Sequence, residues 1–256
     1  MSLDIWTLCA GPTRLAPLSA EAWRVVEAQH KNSTHKLVDS LSEQELLEDL
    51  IEMVKPPPPR GPQFEGLHYL LWTPFRYMPS GRGSRFGGKN ERGMWYGATD
   101  IGTALAEKAF HHLVFLNASA AEFSEQEIEW SSFSAQVKTE RGIDLTSLPF
   151  CDHTSALADP VSYGESLRLG TAMRNAGVEA FLFASARRAA GKNIGLFEPA
   201  FANKDVSDNH PRWTCFARKD RVEVRRKNLT AKAEAFVFTR QSFEVEGKLI
   251  APAFVQ

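Results

Sequence analysis

Apolar residues recur at intervals of three and four after residue 45, which is the pattern of one face of a helix. Ser42 followed by Glu45 has the spacing of a capping box and marks the predicted start of this helix. The prolines from Pro56 onward end it, because they lack the amide donor that a helix needs. A similar spacing predicts an earlier helix from about Ala20 to His30. The apolar residues of the first pattern are Leu46, Leu47, Leu50, Ile51 and Val54.

After the prolines the pattern changes to short runs of apolar and aromatic residues, which are typical of β-strands. The run HYLLWTPFRY, residues 68–77, is predicted as the first strand. Thr99 or Asp100 is placed to cap a following helix, and Asp159 or Ser162 begins another. The remaining runs predict strands at residues 128–137, 180–183, 194–197, 213–216, 222–224 and 235–238.

This mixture of helices and strands, with no internal repeat, predicts the α+β class. Four consecutive prolines followed by Arg60, Gly61 and Pro62 form a stiff, extended connector. We therefore expect residues 1–59 to form a helical arm with its linker, and residues 60–256 to form the main domain.

The composition excludes several classes of protein. With 43% hydrophobic and 24% charged residues, the chain is globular rather than disordered or coiled-coil. Its net charge of -1 argues against a surface built to hold nucleic acid or anionic lipid. Three cysteines without a CxxC spacing favour neither a disulfide framework nor a zinc site. Without a signal peptide or an apolar run of about 18 residues, we expect a cytoplasmic protein with no membrane span and no bound metal.

The first candidate for chemistry is Glu107, because it shares a helical stripe with apolar residues. Phe110, His111 and Val114 lie on the same face, so the carboxylate is expected to be half buried. One interpretation is a surface glutamate whose stem covers its apolar neighbours. The other is a catalytic carboxylate, and the pattern leaves both open.

Arg76 is the second candidate, because it follows LLWTPF and precedes Tyr77, which places a guanidinium beside an aromatic ring. Such an arginine either binds phosphate or forms an ordinary salt bridge. The Gly-rich loop of residues 80–93 adds Arg85 and backbone N–H groups that can approach phosphate oxygens. No GxxxxGK[ST] element occurs, so a P-loop is excluded. Ser185 directly follows the run AFLFA. It does not lie in a GxSxG elbow, so a serine-hydrolase triad is not supported.

Three blocks in order, FRYMPSGRGSRFGG, MWYGATDIGTALAE and FLFASARRAAGKNIGLFEP, resemble the RES-domain family, named for its Arg, Glu and Ser. The resemblance covers roughly Gly66 to Pro199, and the segment before it is similar to the N-terminal extension of one bacterial branch. It implies an ADP-ribosyltransferase-like split β-sheet core. It also implies an enzyme that destroys NAD+, as the toxin of a bacterial toxin–antitoxin pair.

Carried over block by block, the resemblance implies that Arg76, Glu107 and Ser185 are the catalytic residues. The residues that it implies for binding NAD+ are Arg76, Tyr77, Arg85, Tyr96 and Asn193. The rival candidates for the family's serine are Ser155, Ser162 and Ser166.

The same resemblance implies an NAD+ phosphorylase or glycohydrolase, with NAD+ as substrate and inorganic phosphate as a possible co-substrate in place of water. The expected partners are a small protein antitoxin that inserts into the pocket and a second copy in a homodimer; no direct contact with nucleic acid is expected. Two other functions stay open. One is a mono-ADP-ribosyltransferase that acts on a protein, and the other is a non-catalytic module that binds a nucleotide.

Overall fold

The computed structural model describes residues 4–28, 38–78, 83–120, 124–207, 211–226 and 233–251. Within these ranges the chain forms helices and one mixed sheet of eight strands, which confirms the α+β class. None of the helices there combines the length and the apolar character that a membrane span requires.

The helices of the described ranges are α1 (Ile5–Leu8), α2 (Leu41–Val54), α3 (Tyr69–Arg76), α4 (Ile101–Ala118), α5 (Thr154–Leu157) and α6 (Gly164–Asn175). The strands are β1 (Ala16–Glu27), β2 (Trp95–Ala98), β3 (Gln126–Asp144), β4 (Ala180–Ala184), β5 (Lys192–Leu196), β6 (Arg212–Ala217), β7 (Arg221–Arg226) and β8 (Glu234–Thr239). The strands that the sequence predicts from residue 128 onward are therefore confirmed.

The sheet has the order β1-β2-β5-β4-β3-β6-β7-β8, and β1 also pairs with β3. Five strands, β1, β2, β5, β4 and β3, are thus linked in a closed ring of pairings. All pairs in the sheet are antiparallel except β3 with β4. The length of β3 lets it contact β1, β4 and β6 at different points. The strands β6, β7 and β8 extend the sheet beyond this ring.

The helix predicted from Ala20 to His30 is wrong as far as Glu27, because the chain forms β1 there and pairs with β3 along most of its length. Residues 29 and 30 of this prediction lie outside the described ranges. Both faces of this strand are covered. Ala22 packs in the same cluster as Trp95, whereas Val25 packs against α4. With both faces apolar, the residues no longer alternate, and their spacing resembles that of a helix. Segment 1–59 therefore contributes a strand as well as α2; the boundary at residue 59 stays a prediction.

The strand predicted at residues 68–77 is also wrong, because the chain forms α3 there. His68 caps the helix by accepting a hydrogen bond from the Leu70 amide at 3.3 Å. Leu71 and Phe75, four residues apart, are buried on one face. Leu71 and Phe75 have the spacing of a helix face. The run was predicted as a strand because its aromatic and branched residues are typical of strands.

The helix predicted after residue 45 is confirmed as α2, but its cap lies two residues earlier than expected. Ser40 Oγ accepts from the Glu43 amide at 3.2 Å, and Glu43 Oε2 accepts from the Asp39 amide at 2.9 Å. The helix ends at Val54, before the prolines. No residue of α2 is buried.

Helix α4 is the main helix against the sheet, and it begins at the expected cap. Asp100 Oδ1 accepts a hydrogen bond from the Thr103 amide at 3.0 Å. Leu105 and Phe110 are fully buried, and truncation of either to Ala would cost about 2–5 kcal/mol of stability. This packing fixes the rotation of α4, so that Glu107 and His111 face a cavity instead of the core.

Candidate active site

A cavity of about 480 Å³ lies where α4 meets β1, β2, β4 and β5. The strand register explains which side chains reach it. Phe183 pairs with Asn193, and Asn193 also pairs with Ala98, so these three residues lie in one row across the sheet. The polar and ionisable residues that line it are Arg24, Ser84, Arg85, Tyr96, Glu107, Lys108, His111, Tyr163 and Asn193.

Glu107 is half-buried in the cavity wall and is held by two hydrogen bonds. Ser185 Oγ and Asn193 Nδ2 each donate to its Oε1 at 2.7 Å. Ser185 follows the end of β4, and its own amide donates to Gly191 O at 2.8 Å, which closes the turn into β5. Two donors on one rigid hairpin orient the carboxylate, so the glutamate has a defined position rather than that of a surface side chain.

Ser185 is the predicted serine that the structure places beside Glu107. Of its rivals, Ser162 accepts from the Gly164 amide and Ser166 donates to the Tyr163 carbonyl. These two hydroxyls are used in local contacts at the start of α6.

Two arginines of the cavity wall bind carbonyl groups instead of carboxylates. Arg24 Nη1 donates to the Tyr96 carbonyl at 3.0 Å. Arg85 Nη1 donates to the carbonyls of Leu157 and Asp159 at 3.1 and 2.9 Å, and its guanidinium lies 4.3 Å from the centroid of the Tyr163 ring. Neither forms an ion pair within the described ranges. Their positive charges are therefore available to an anion in the cavity.

Burial lowers the pKa of Arg24 to about 10, so the side chain stays charged at neutral pH. Tyr96 shows the opposite shift, because burial raises its pKa to about 12 despite hydrogen bonds with Ser84 and the Phe86 amide. Its hydroxyl accepts from that amide at 3.1 Å and lies 3.0 Å from Ser84 Oγ. Tyr96 thus stays protonated and fixes the segment that carries Arg85.

Arg76 and Tyr77 do not line the cavity. Arg76 Nη2 forms a salt bridge of 2.6 Å with Glu52 of α2, and its Nε donates to the Pro56 carbonyl. The guanidinium lies over the rings of Trp72 and Tyr77, each at 5.9 Å. Of the two interpretations of Arg76, the structure shows the ordinary salt bridge. Its role in catalysis and in binding NAD+ stays a prediction.

The sequence interpretation missed Arg24 and gave His111 no site role. Arg24 was hidden because its segment was predicted as a helix, whereas a strand over 16–27 would have carried it into the sheet beside β2. His111 had a usable signal, because it stands four residues after Glu107 and therefore lies on the same helix face.

No group of three or more His, Cys, Asp or Glu side chains in the described ranges is placed to hold a metal ion. The cavity instead combines an oriented carboxylate with two arginines that lack carboxylate partners there. This fold and site define an α+β protein suited to a small anionic ligand.

The family model described as RES domain matches residues 59–215, more than half of the chain, so the chain belongs to the RES-domain family. This family has an ADP-ribosyltransferase-like fold and is known for NAD+-related toxin activity. No curated protein matches the chain. The match begins after β1, and Arg24 therefore lies outside it.

Proposed function

We propose that the protein cleaves the bond between nicotinamide and ribose in NAD+, with inorganic phosphate or water as the acceptor. One observation carries this proposal: Glu107 is held by Ser185 and Asn193 in a cavity that Arg24 and Arg85 also line. A fixed carboxylate and free cations together match a substrate that has a reactive sugar carbon and a diphosphate.

The chemistry of NAD+ explains why one carboxylate is enough. Nicotinamide is attached as a cation and leaves as a neutral molecule, so the leaving group needs no acid. The ribose carbon then develops positive charge, as in glycosidic cleavage generally. The Glu107 carboxylate stabilises this charge and orients the ribose hydroxyls, while Ser185 and Asn193 keep Oε1 in position.

Binding of the rest of NAD+ is assigned to the basic and aromatic residues of the wall. Arg24 and Arg85 bind the diphosphate, a role that replaces the one expected for Arg76. Tyr96 and Phe183 provide aromatic surface for the nicotinamide ring. Arg24, Tyr96 and Phe183 lie on strands of the sheet and therefore have fixed positions. NAD+ thus loses its rotational freedom when it binds, before the reaction begins.

The biological setting belongs to the same proposal. We propose a cytoplasmic toxin whose cavity is closed by a small protein antitoxin, since an enzyme that consumes NAD+ needs a silent state. Self-association as a homodimer is a further proposal, which the oligomeric state in solution would test.

The test is NAD+ consumption by the purified full chain, with and without inorganic phosphate, followed by identification of the products. We expect free nicotinamide together with ADP-ribose or its phosphate ester. In Glu107→Gln we expect a loss of about 100-fold or more in rate with the fold retained, as judged by circular dichroism. Unchanged consumption in a folded Glu107→Gln protein would contradict the proposal, and a labelled polypeptide would indicate ADP-ribose transfer to protein instead.

A further inference from the structure

His111 is a titratable side chain in the cavity to which the proposed reaction gives no role. It stands four residues after Glu107 on α4, and residues four apart on a helix share a face. Both side chains line the cavity. Within the described ranges, no protein group hydrogen-bonds to the His111 imidazole. The ring is therefore open to a bound molecule.

The protonation state of His111 suits a base. Its pKa is lowered below the ordinary 6.5, first by partial desolvation at the cavity wall, although part of the His111 side chain is exposed to solvent. Glu107 opposes this shift, whereas the charges of Arg187, Lys108 and Arg85 add to it. The imidazole is thus neutral at pH 7, with one ring nitrogen able to accept a proton.

We propose that His111 is a general base that takes a proton from water when water is the acceptor in NAD+ cleavage, a role that rests on the proposed function. The water oxygen forms a bond to the ribose carbon C1′ while the bond from C1′ to nicotinamide breaks. The electron pair of that bond leaves with neutral nicotinamide. The water proton passes to His111 and then to solvent. Glu107 thus stabilises the sugar cation, and His111 activates the attacking water.

This role distinguishes the two acceptors. Water is a weak nucleophile until a base takes its proton. The hydrogen phosphate dianion already carries oxygens without a proton, so it attacks C1′ without a base. Loss of His111 should therefore lower hydrolysis far more than phosphorolysis, and the side chain would set the balance between the two products.

The chain offers a matched control for His111. His112 is a poor one, because it is buried with its ring 5.9 Å from that of Trp130. His153 lies in a short 3-10 helix outside the cavity and is only partly buried. His153→Ala thus removes an imidazole without touching the site.

The experiment compares the purified full-length wild type, His111→Ala and His153→Ala. Their NAD+ loss and products are measured in phosphate-free buffer and in inorganic phosphate. We expect His111→Ala to lose about 100-fold in hydrolysis and less than about 3-fold in phosphorolysis, and free imidazole to restore its hydrolysis. His153→Ala should match the wild type. Wild-type hydrolysis should also decline as the pH falls through the lowered pKa of His111.

Three results would overturn the role of His111 alone: unchanged hydrolysis in folded His111→Ala, equal loss of both reactions without rescue by imidazole, or a wild type that consumes NAD+ only with phosphate. A wild type that consumes no NAD+ in either buffer would overturn the proposed function as well. If His111→Ala does not fold, His111→Gln takes its place in the same comparison, because Gln fills a similar volume and cannot accept a proton from water.

Discussion

Arg24 and Arg76 are two arginines that both lie beside aromatic rings, and the surroundings of their guanidinium groups differ. Arg76 lies over Trp72 and is neutralised by Glu52. Arg24 lies 5.4 Å from the centroid of Trp95, donates to a backbone carbonyl and lines the cavity. An aromatic neighbour thus does not distinguish an anion site from a structural contact. What distinguishes Arg24 from Arg76 is that it lines the cavity and has no carboxylate partner in the described ranges.

The largest difference is expected between two single variants, in which Arg24 or Arg76 is replaced by Gln. Arg24→Gln should raise the KM for NAD+ by about 10- to 100-fold, because it removes a charge-assisted bond to the diphosphate. Arg76→Gln should leave KM and kcat within about 2-fold of the wild type, since its guanidinium is occupied by Glu52. Steady-state kinetics, with thermal melting to confirm the fold, make this comparison. Equal losses in the two variants would contradict it.

A smaller effect is expected when Glu107 loses the hydrogen bond that Asn193 donates to it. Asn193→Asp keeps the shape of the side chain but replaces the Nδ2 donor to Glu107 with a second carboxylate. The second carboxylate repels Glu107 and removes one of its two donors, so Glu107 is no longer held beside the sugar. We expect kcat to fall by about 10-fold at pH 7.

The control for this change is Asn203→Asp, which makes the same substitution at an exposed position outside the cavity. It should retain wild-type turnover at every pH. If Asn193→Asp behaves in the same way, the hydrogen bond from residue 193 has no part in positioning Glu107.

The smallest effect is expected at the salt bridge between Arg76 and Glu52. Hydrogen bonds from Lys55 and then Arg76 hold the pKa of Glu52 below its ordinary value of 4.5. A depressed carboxyl pKa means that the contact contributes fully above pH 4.5 and is lost as the pH falls through the lowered value. Titration of the Glu52 carboxyl by NMR should show a higher pKa than in the wild type in both Lys55→Gln and Arg76→Gln. An unchanged titration in both variants would show that neither cation acts on Glu52.

The sequence predicts much of the fold after residue 94 because local patterns there agree with the tertiary structure. Asp100 caps α4, and the later apolar runs form the strands expected. The sequence predicts the fold before residue 94 poorly. The strand β1 is covered on both faces, which removes the alternation that identifies a strand. The short helix α3 contains residues typical of strands, and its helical spacing extends over only two turns.

For the site, the sequence predicts the carboxylate and several neighbours but not the complete set of charges. Glu107, Tyr96 and Asn193 are brought together because α4, β2 and β5 adjoin. Arg24 depends on the pairing of β1 with β2 and β3, whose residues are far apart in the chain. No local pattern reports such a pairing. The salt bridge of Arg76 is hidden for a related reason, because its partner, Glu52, lies in a different helix.

The closed ring of strands has a consequence for where the chain can be shortened. The strand that completes the ring, β1, precedes the segment common to the family and pairs with both β2 and β3. A polypeptide begun at residue 59 would expose one edge of each of those strands and open one wall of the pocket. The segment that matches the family model thus lacks both the strand that closes the ring and Arg24, which lines the pocket.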